Sequence, residues 1–243
     1  PDEVTEEDVR SIEEINRQMN YALQENLSGF HKMIIFDMDD TILKGRFIDA
    51  CAKKFSFTAK LEDLRERETD SIILAKRIGL LLKGKTMDEM LDVVHGIEMV
   101  EDIKEVVAAL KKKGYIVGII SNSYTIITNY VMRNIGADFT YANQMGFFEG
   151  KATGEVDMPS YFFASPESIC GHSYCKTNAM QYACEKYNVH FKNCMAVGDS
   201  KDDRCMVGHA GKGFAFCTTD ELLKKMANKH INERSFQSLL AHA

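Results

Sequence analysis

The chain has 243 residues, and its 45% hydrophobic content is enough to bury the core of a globular protein. Its 30 lysine and arginine residues against 36 aspartate and glutamate residues give a formal net charge of -6, which excludes a basic surface for nucleic acid or for an anionic membrane. No apolar stretch approaches the roughly 20 residues of a membrane-spanning helix, so we expect neither nucleic acid nor a membrane as a partner.

The first predicted element is a helical extension over residues 1–30. Thr5 and Asp8 have the spacing of a capping box, and apolar residues follow at helical intervals until Ser28-Gly29. This apolar stripe is too short for a coiled coil, so we interpret it as a packing face. Because the chain begins at Pro1, either the initiator methionine has been removed or the sequence is part of a longer one.

A cluster of acidic residues follows the first predicted strand. The apolar run Met33–Phe36 is typical of a buried parallel strand, and Asp37, Asp39 and Asp40 come directly after it. Open α/β sheets bind their ligands at the carboxyl ends of such strands. Three carboxylates so close together repel one another and lose solvation, so the sequence predicts a compensating cation, most simply a divalent metal.

Residues 45–97 have the periodicity of helices rather than of strands. We interpret them as a helical cap inserted into an α/β core that consists of residues 31–44 and 98–243. The predicted helices of the cap are Phe47–Phe55, Leu61–Leu82 and Thr86–Val94.

Beyond the insertion, helices and short buried strands alternate, which predicts an α/β fold with a mainly parallel sheet. The strand Tyr115–Ile120 leads into Ser121–Ser123, and the strand Cys194–Gly198 leads into Asp199–Asp203. The other predicted elements are the helices Glu101–Lys113, Thr125–Ile135 and Lys176–Tyr187, a strand near Phe139–Ala142, a hairpin around residues 147–151, the strand Gly213–Phe216 as the last of the sheet, and a helical C-terminal segment.

Three predicted strands therefore end in polar clusters, which begin at Asp37, Ser121 and Asp199. Because the carboxyl ends of parallel strands lie along one edge of a sheet, we expect these clusters to form a single site. Two facing acidic clusters form an oxygen-rich pocket of the kind that binds Mg²⁺ together with a substrate phosphate. The Ser121 hydroxyl and the ammonium group of Lys176 would bind the remaining phosphoryl oxygens.

Four motifs in this order resemble those of the haloacid dehalogenase (HAD) superfamily of phosphohydrolases. Any one of them alone is a weak signal, but each lies at the boundary of a predicted element. The resemblance covers about Met33 to Phe216 and is closest to the phosphoserine-phosphatase-like branch, in which a helical cap is inserted into the Rossmann-like core between the first and the second motif. The motifs are Asp37-Met38-Asp39-Asp40-Thr41, Ser121 after Gly118-Ile119-Ile120, Lys176, and Gly198-Asp199-Ser200-Lys201-Asp202-Asp203.

The resemblance also implies roles for individual residues. Asp37 would be the nucleophile that forms an aspartyl-phosphate, and Asp39 the general acid that protonates the leaving alcohol and then activates water. Ser121 and Asn122 would hold phosphate oxygens, while Lys176 would neutralise charge on Asp37 and on the transferred phosphoryl group.

The metal ligands implied by the resemblance are Asp37, the backbone carbonyl of Asp39 and Asp199, with Asp203 orienting water or the surroundings of the metal. A carboxylate attacks a phosphate dianion poorly because both are negative, so the reaction requires Mg²⁺. Asp202 stands where relatives usually carry Asn; the added charge either tightens metal binding or is simply solvated.

The cap contains two candidate substrate-binding arginines. Arg46 falls nine residues after Asp37, where phosphoserine phosphatases place a glutamate that pairs with the substrate ammonium group, and an arginine there would repel that group. Arg77 aligns with the arginine that binds the substrate carboxylate in those enzymes. Either could instead be a surface helix charge. Two arginines would favour a leaving group with anionic or hydroxyl-rich character.

Seven cysteines is an odd number in a chain too long to need disulfides, so we expect reduced thiols and a cytoplasmic location. The run Cys170-Gly-His172-Ser-Tyr-Cys175 resembles a partial zinc site, with His190 and Cys194 further along the chain. It lacks Cys-x-x-Cys pairs, so we interpret these residues as ordinary buried or half-buried thiols.

These features predict a Mg²⁺-dependent phosphatase that hydrolyses a small phosphorylated metabolite through an aspartyl-phosphate. The alternatives are a phosphoserine phosphatase proper, a phosphotransferase of the same fold, and a non-catalytic binding or regulatory module. A non-catalytic module predicts damage at Asp37, Asp39, Lys176 or Asp199, and none of these is damaged. The cap argues against bulky protein substrates, and the oligomeric state is left open.

Overall fold

The computed structural model describes Ile15 and residues 31–243. The predicted helical extension over residues 1–30 lies outside the described residues, except for Ile15, which is helical. The strands of the described part are β1 (Lys32–Phe36), β2 (Tyr115–Tyr124), β3 (Phe139–Phe148), β4 (Lys151–Asp157), β5 (Cys194–Gly198), β6 (Lys212–Phe216) and β7 (Lys229–Ile231). The helices are α1 (Phe47–Lys54), α2 (Thr58–Arg67), α3 (Ser71–Leu81), α4 (Met87–His95), α5 (Ile103–Lys112), α6 (Thr125–Ile135), α7 (Lys176–Lys186), α8 (Arg204–His209) and α9 (Glu221–Met226).

The strands form a 7-stranded sheet in the order β4-β3-β2-β1-β5-β6-β7. Neighbouring strands pair in parallel except β3 and β4, which are antiparallel. Helices connect the central strands and lie against both faces of the sheet. The predicted fold class, a Rossmann-like core with a mainly parallel sheet flanked by helices, is confirmed.

The register of the three central strands brings their carboxyl ends together. Phe36 of β1 pairs with Ile119 of β2 on one side and with Val197 of β5 on the other. Asp37, Ser121 and Asp199 follow these three residues by one or two positions, so they leave the sheet at the same edge. The apolar runs that form the strands thus determine which polar residues meet.

The sheet separates two layers of hydrophobic core. Ile34 and Phe36 of β1 point to the layer that contains α5, whereas Met33 and Ile35 point to the layer that contains α7. All four side chains have 0% of their surface exposed. A strand covered on both faces is apolar at every position, which explains the unbroken apolar run before Asp37.

Between β1 and α5 the chain forms four α-helices, α1 to α4, and the named strands of the described part lie outside residues 47–95. The single predicted helix Leu61–Leu82 is wrong, because the chain leaves α2 at Glu68 and starts α3 after Asp70. The Asp70 carboxylate caps α3 by accepting hydrogen bonds from the N–H groups of Ile72 and Ile73. The division into a cap over residues 45–97 and a core stays a prediction.

Three further strand predictions differ from the structure. The strand predicted near Phe139–Ala142 continues as β3 to Phe148. The strand predicted to end at Ile120 continues as β2 to Tyr124, with a shift in its pairing with β3 after Ile120. Gly213–Phe216 was predicted as the last strand, but the short strand β7 pairs in parallel beside it. The three residues of β7 include exposed Lys229 and His230, so it has no apolar run to indicate a strand. In the part of the chain that the structure describes, none of the helices has both the length and the apolar character needed to cross a membrane.

Candidate active site

Asp37 is held rigidly at the carboxyl end of β1. Its backbone is extended, and its N–H group donates a hydrogen bond of 2.9 Å to the carbonyl oxygen of Val197, so it continues the ladder to β5. Only 3% of the residue is exposed. Its carboxylate accepts a short hydrogen bond from the ammonium group of Lys176. The sheet therefore fixes both the position of Asp37 and its burial.

Lys176 is the first residue of α7 and is 4% exposed. Its Nζ donates to Oδ1 of Asp37 and, over 2.7 Å, to Oδ1 of Asp203. Burial disfavours the charged ammonium, but the carboxylates of Asp203 and Asp37 outweigh that cost and raise the pKa of Lys176 well above its usual value. Lys176 is therefore a buried cation that bridges two acids, one directly after β1 and one in the turn after β5.

Asp203 is fixed by the turn that follows β5. Its Oδ2 accepts hydrogen bonds from the backbone N–H of Asp199 (3.2 Å) and from the N–H and hydroxyl groups of Ser200 (both 3.0 Å). A Cβ atom added to Gly198 would lie 2.4 Å from the Cβ of Asp203, so only glycine allows this close approach. Gly198 therefore allows the acid to fold back towards the end of β5.

Three acids of this edge form one cluster. The carboxylates of Asp37, Asp199 and Asp203 offer oxygen atoms that all lie within 4.8 Å of one another. Burial raises the pKa of Asp37 well above its usual value. The charges of Asp203 and Asp199 add to this rise, and Lys176 opposes it without cancelling it. Burial and the charge of Asp203 raise the pKa of Asp199 to about 6. Three carboxylates face one ammonium group, so the cluster has the charge and the oxygen ligands that suit a hard divalent cation.

Asp39 connects the same edge to the first helix of the inserted segment. Its Oδ1 accepts a hydrogen bond of 2.7 Å from the N–H of Phe47, the first residue of α1. Burial, followed by the charge of Asp37, raises the pKa of Asp39 to about 7. A carboxyl group with this pKa is able both to donate and to accept a proton near neutral pH.

Ser121 and Asn122 lie on β2 at the level of the acidic cluster. Ser121 is 1% exposed, and its hydroxyl accepts a hydrogen bond of 3.1 Å from the N–H of Ser123. The Asn122 side chain donates to Oδ2 of Asp202 over 3.2 Å. Asp202, which stands where relatives usually carry Asn, is therefore a partner of a residue predicted to bind phosphate.

The sequence analysis assigned no function to Asn143 and Tyr174, which are linked to Asn122 by hydrogen bonds. The buried Asn143 donates to the backbone carbonyl of Asn122 over 2.9 Å, and the Tyr174 hydroxyl donates to the side-chain oxygen of Asn143 over the same distance. Asn143 follows the predicted strand Phe139–Ala142 directly, so it carried the same strand-end signal as the other site residues. Tyr174 carried no such signal. Thr41 is the last residue of the first motif, and its hydroxyl donates to Asp199 over 3.2 Å.

The two predicted substrate-binding arginines have different surroundings. Arg46 donates to the Asp40 carboxylate over 2.8 Å and lies 3.8 Å from that of Asp199. It lines a cavity of about 600 Å³ beside the acidic cluster. Arg77 is half exposed and forms an ion pair of 3.4 Å with Glu68, and within the described residues it has no ion pair with the acids of the site. The structure therefore brings Arg46, but not Arg77, into contact with the acidic cluster.

The parallel sheet with a carboxylate and lysine cluster at the carboxyl ends of its central strands defines a Rossmann-like α/β enzyme. Residues 31–211 match the family model of the haloacid dehalogenase-like hydrolases. The chain belongs to this family, as its four motifs predicted.

Curated relatives agree with this assignment. The phosphoserine phosphatase of Archaeoglobus fulgidus is 28% identical over 86% of this chain, and the chain spans 58% of that protein's length. The phosphoserine phosphatase of Methanocaldococcus jannaschii is 26% identical, and the match covers 87% of this chain and 97% of that protein. The predicted relation to the phosphoserine-phosphatase-like branch is confirmed.

Solved structures share the fold at low identity. A phospho-aspartyl intermediate analogue of phosphoserine phosphatase superposes with a TM-score of 0.74 at 24% identity, covering 87% of this chain and 98% of its own. A HAD family hydrolase from Salmonella enterica serovar Typhi superposes with a TM-score of 0.76 at 20% identity, covering 86% of this chain and 69% of its own. Both support the fold alone.

Proposed function

We propose that the protein is a Mg²⁺-dependent phosphomonoester hydrolase that acts on a small phosphorylated metabolite. The observation that carries this proposal is the buried contact of Lys176 with both Asp37 and Asp203, at the sheet edge where Asp199 also lies. A nucleophile, a phosphate-neutralising cation and an oxygen-rich metal site are the groups that phosphoryl transfer needs. Membership of a hydrolase family supports the same reaction class.

The acidic cluster fits Mg²⁺ because its ligands are all oxygen and its negative charge exceeds that of the one lysine. We assign Asp37, Asp199 and the backbone carbonyl of Asp39 as ligands, with Asp203 orienting water or the surroundings of the metal. When bound, Mg²⁺ supplies the positive charge that lets a carboxylate approach a phosphate dianion.

The reaction follows from the side chains of the site. Lys176 holds Oδ1 of Asp37, which leaves Oδ2 to attack phosphorus; the new Asp37–phosphorus bond forms as the bond to the ester oxygen breaks. Asp39 is bound through Oδ1 to the N–H of Phe47, which leaves its Oδ2 to give a proton to the departing alcohol. In the second step Asp39 takes a proton from water, and the water oxygen attacks phosphorus to release inorganic phosphate and restore Asp37.

Arg46 supports a leaving group with anionic or hydroxyl-rich character. Its guanidinium group lies beside the acidic cluster and lines the adjacent cavity, where a substrate ammonium group would meet like charge. The names of the relatives favour phosphoserine as the alternative substrate. Arg77 stays a candidate for a substrate carboxylate, although its ion pair with Glu68 would first have to open.

A phosphatase assay tests the reaction and the substrate class together. The substrates are phosphoserine, a phosphorylated hydroxy acid without the ammonium group and a phosphorylated polyol, each with Mg²⁺ and with a chelator. We expect release of phosphate only with Mg²⁺, preference for the substrates without an ammonium group, and a loss in kcat of at least about 10³-fold for Asp37→Asn.

The matched control is Asp157→Asn, which makes the same change at an exposed position of β4 and should keep wild-type activity. Asp37→Asn activity equal to that of the wild type, or no turnover of any phosphate ester, would overturn the catalytic proposal and favour a binding module. Transfer of the phosphoryl group to an added alcohol in place of water would instead identify a phosphotransferase. Phosphoserine as the best substrate would overturn the inference from Arg46 alone.

We further propose a cytoplasmic location with a small phosphate ester, rather than nucleic acid or a membrane, as the partner. All seven cysteines lie in the described part of the chain and none of them forms a disulfide there, in keeping with a reducing compartment. The acidic net charge of -6 supports the absence of a polyanionic partner.

A further inference from the structure

A second cluster of metal-binding side chains lies outside the acidic site. It consists of Cys170, His172, Cys175 and Cys205, whose sulfur atoms and ring nitrogen all lie within 4.8 Å of one another. Nδ1 of His172 lies 3.1 Å from the sulfur of Cys170 and 3.5 Å from that of Cys205. The sequence showed only the first three residues; the fold adds Cys205, which lies on α8 and is distant along the chain.

These separations match those of a tetrahedral metal site. Zinc binds cysteine sulfur at about 2.3 Å and histidine nitrogen at about 2.0–2.1 Å, so tetrahedral angles place ligand sulfur and nitrogen roughly 3.6 Å apart. The distance from Cys205 agrees with that value to about 0.1 Å, and the distance from Cys170 is about 0.5 Å shorter, as in a hydrogen bond between a thiol and an imidazole. We propose that Cys170, His172, Cys175 and Cys205 bind a zinc ion.

Zinc explains the arrangement better than a disulfide does. A disulfide between two of the cysteines would not account for the third thiol or for the His172 ring nitrogen, which lie in the same cluster. His190 and Cys194, the other residues that the sequence suggested, lie elsewhere: the His190 ring accepts from the N–H of Lys192, and Cys194 is buried in β5. Four protein ligands complete the coordination, so the site is structural and has no open position for a substrate.

The zinc site would hold two segments that carry catalytic side chains. Cys175 directly precedes Lys176 at the start of α7, and Cys205 lies two residues after Asp203. Lys176 and Asp203 are themselves joined by a hydrogen bond of 2.7 Å. Zinc would therefore anchor the segment around Cys170 to α8 and brace that contact from outside the acidic site.

Metal analysis of the full 243-residue chain tests the proposal without depending on the phosphatase proposal. The protein is purified under reducing conditions without a polyhistidine tag, dialysed against metal-free buffer that contains no chelator, and analysed by mass spectrometry for metals. We expect one zinc per chain in the wild type and background levels in Cys170→Ser and Cys205→Ser. Cys217→Ser, which changes a half-buried cysteine outside the cluster, should retain the full zinc content.

Since a buried cysteine variant could fail to fold, His172→Ala provides a second measurement at an exposed position. In zinc titrations of the metal-free chains, the zinc affinity of His172→Ala should be lower than that of the wild type. The decrease should exceed the roughly 10–100-fold that loss of an outer-shell partner causes. Cobalt added to the wild type should give the thiolate charge-transfer band and the strong visible bands of a tetrahedral site. Absence of zinc and of these bands, unchanged affinity in His172→Ala, or a disulfide among Cys170, Cys175 and Cys205 would each overturn the proposal.

Discussion

At the scale of single residues, the acidic site depends on a glycine as much as on its charges. Gly198 is the last residue of β5 and precedes Asp199, and the Asp203 side chain occupies the space that a side chain at Gly198 would need. That contact lets Asp203 accept three hydrogen bonds from Asp199 and Ser200 while its other oxygen reaches Lys176. The side chain is completely buried, so it has no room to shift.

We therefore expect Gly198→Ala to displace Asp203. The added methyl group would come 2.4 Å from the Cβ of Asp203, and such overpacking lowers the free energy of unfolding by about 1–3 kcal/mol. Urea unfolding measures this change, and the phosphatase assay should show a parallel loss of kcat. The control is Gly96→Ala, where the new methyl group would meet no atom closer than 3.4 Å. Equal stability of the two variants would contradict this account of Gly198.

Strand-end residues were the part of the site that sequence could predict. Asp37 and Asp199 each follow an apolar run, so their placement at one sheet edge follows from the rules for parallel sheets. Contacts between residues far apart in sequence carried no such signal. The pairing of Asn122 with Asp202, and of Cys205 with His172, depends on how loops pack after the sheet has formed.

At the scale of elements, the inserted helices are placed by capping as well as by apolar periodicity. The segment Leu61–Leu82 carries apolar residues up to Leu64 and again from Ile72, and between them the chain breaks at Glu68 and restarts at Ser71. Asp70 explains the restart, because its side chain satisfies two N–H groups that the first turn of α3 leaves free. The apolar periodicity stops between Leu64 and Ile72, so the seven polar residues between them, which include Asp70, were the sequence signal for the break.

We expect Asp70→Ala to lower the free energy of unfolding by about 1 kcal/mol, because the cap hydrogen bonds at 2.8 and 3.0 Å are lost. Asp70→Asn keeps an acceptor oxygen at the same place and should cost only a fraction of this. Thermal or urea unfolding of the two variants measures the difference. If they are equally stable, the carboxylate does not act as a cap.

At the scale of the whole molecule, the acidic cluster at the carboxyl ends of the central strands destabilises the metal-free fold electrostatically. The burial of Asp37, Asp199 and Asp203 around one lysine raises the pKa of two of these acids above the usual range. An acid with a raised pKa binds its proton more tightly in the folded than in the unfolded state. Its ionised form therefore destabilises the metal-free protein above the folded pKa, and a bound cation would offset that cost.

Asp199→Asn should separate stability from metal binding. The pKa of Asp199 rises from 3.8 to about 6, and its side chain is 12% exposed, so at pH 7.5 its charge costs the folded state up to about 3 kcal/mol. In a chelator we expect the variant to be more stable than the wild type by about 1–2 kcal/mol, because part of the cost is relieved by relaxation. With Mg²⁺ at 100 times its Kd, the wild type should gain about 2.7 kcal/mol and the variant almost nothing.

Urea unfolding at pH 7.5 with chelator and with Mg²⁺ gives all four values, and Asp157→Asn on β4 should follow the wild type in both conditions. Lowering the pH through 6 towards 4 should reduce the advantage of Asp199→Asn in chelator, since the wild-type carboxyl then takes up its proton in the folded state. A variant that is less stable than the wild type in chelator, or that gains as much from Mg²⁺, would show that Asp199 supports the fold rather than the metal. Asp199→Asn is thus expected to be more stable than the wild type in chelator but to gain less stability from Mg²⁺. This combination distinguishes a metal ligand from an ordinary buried acid.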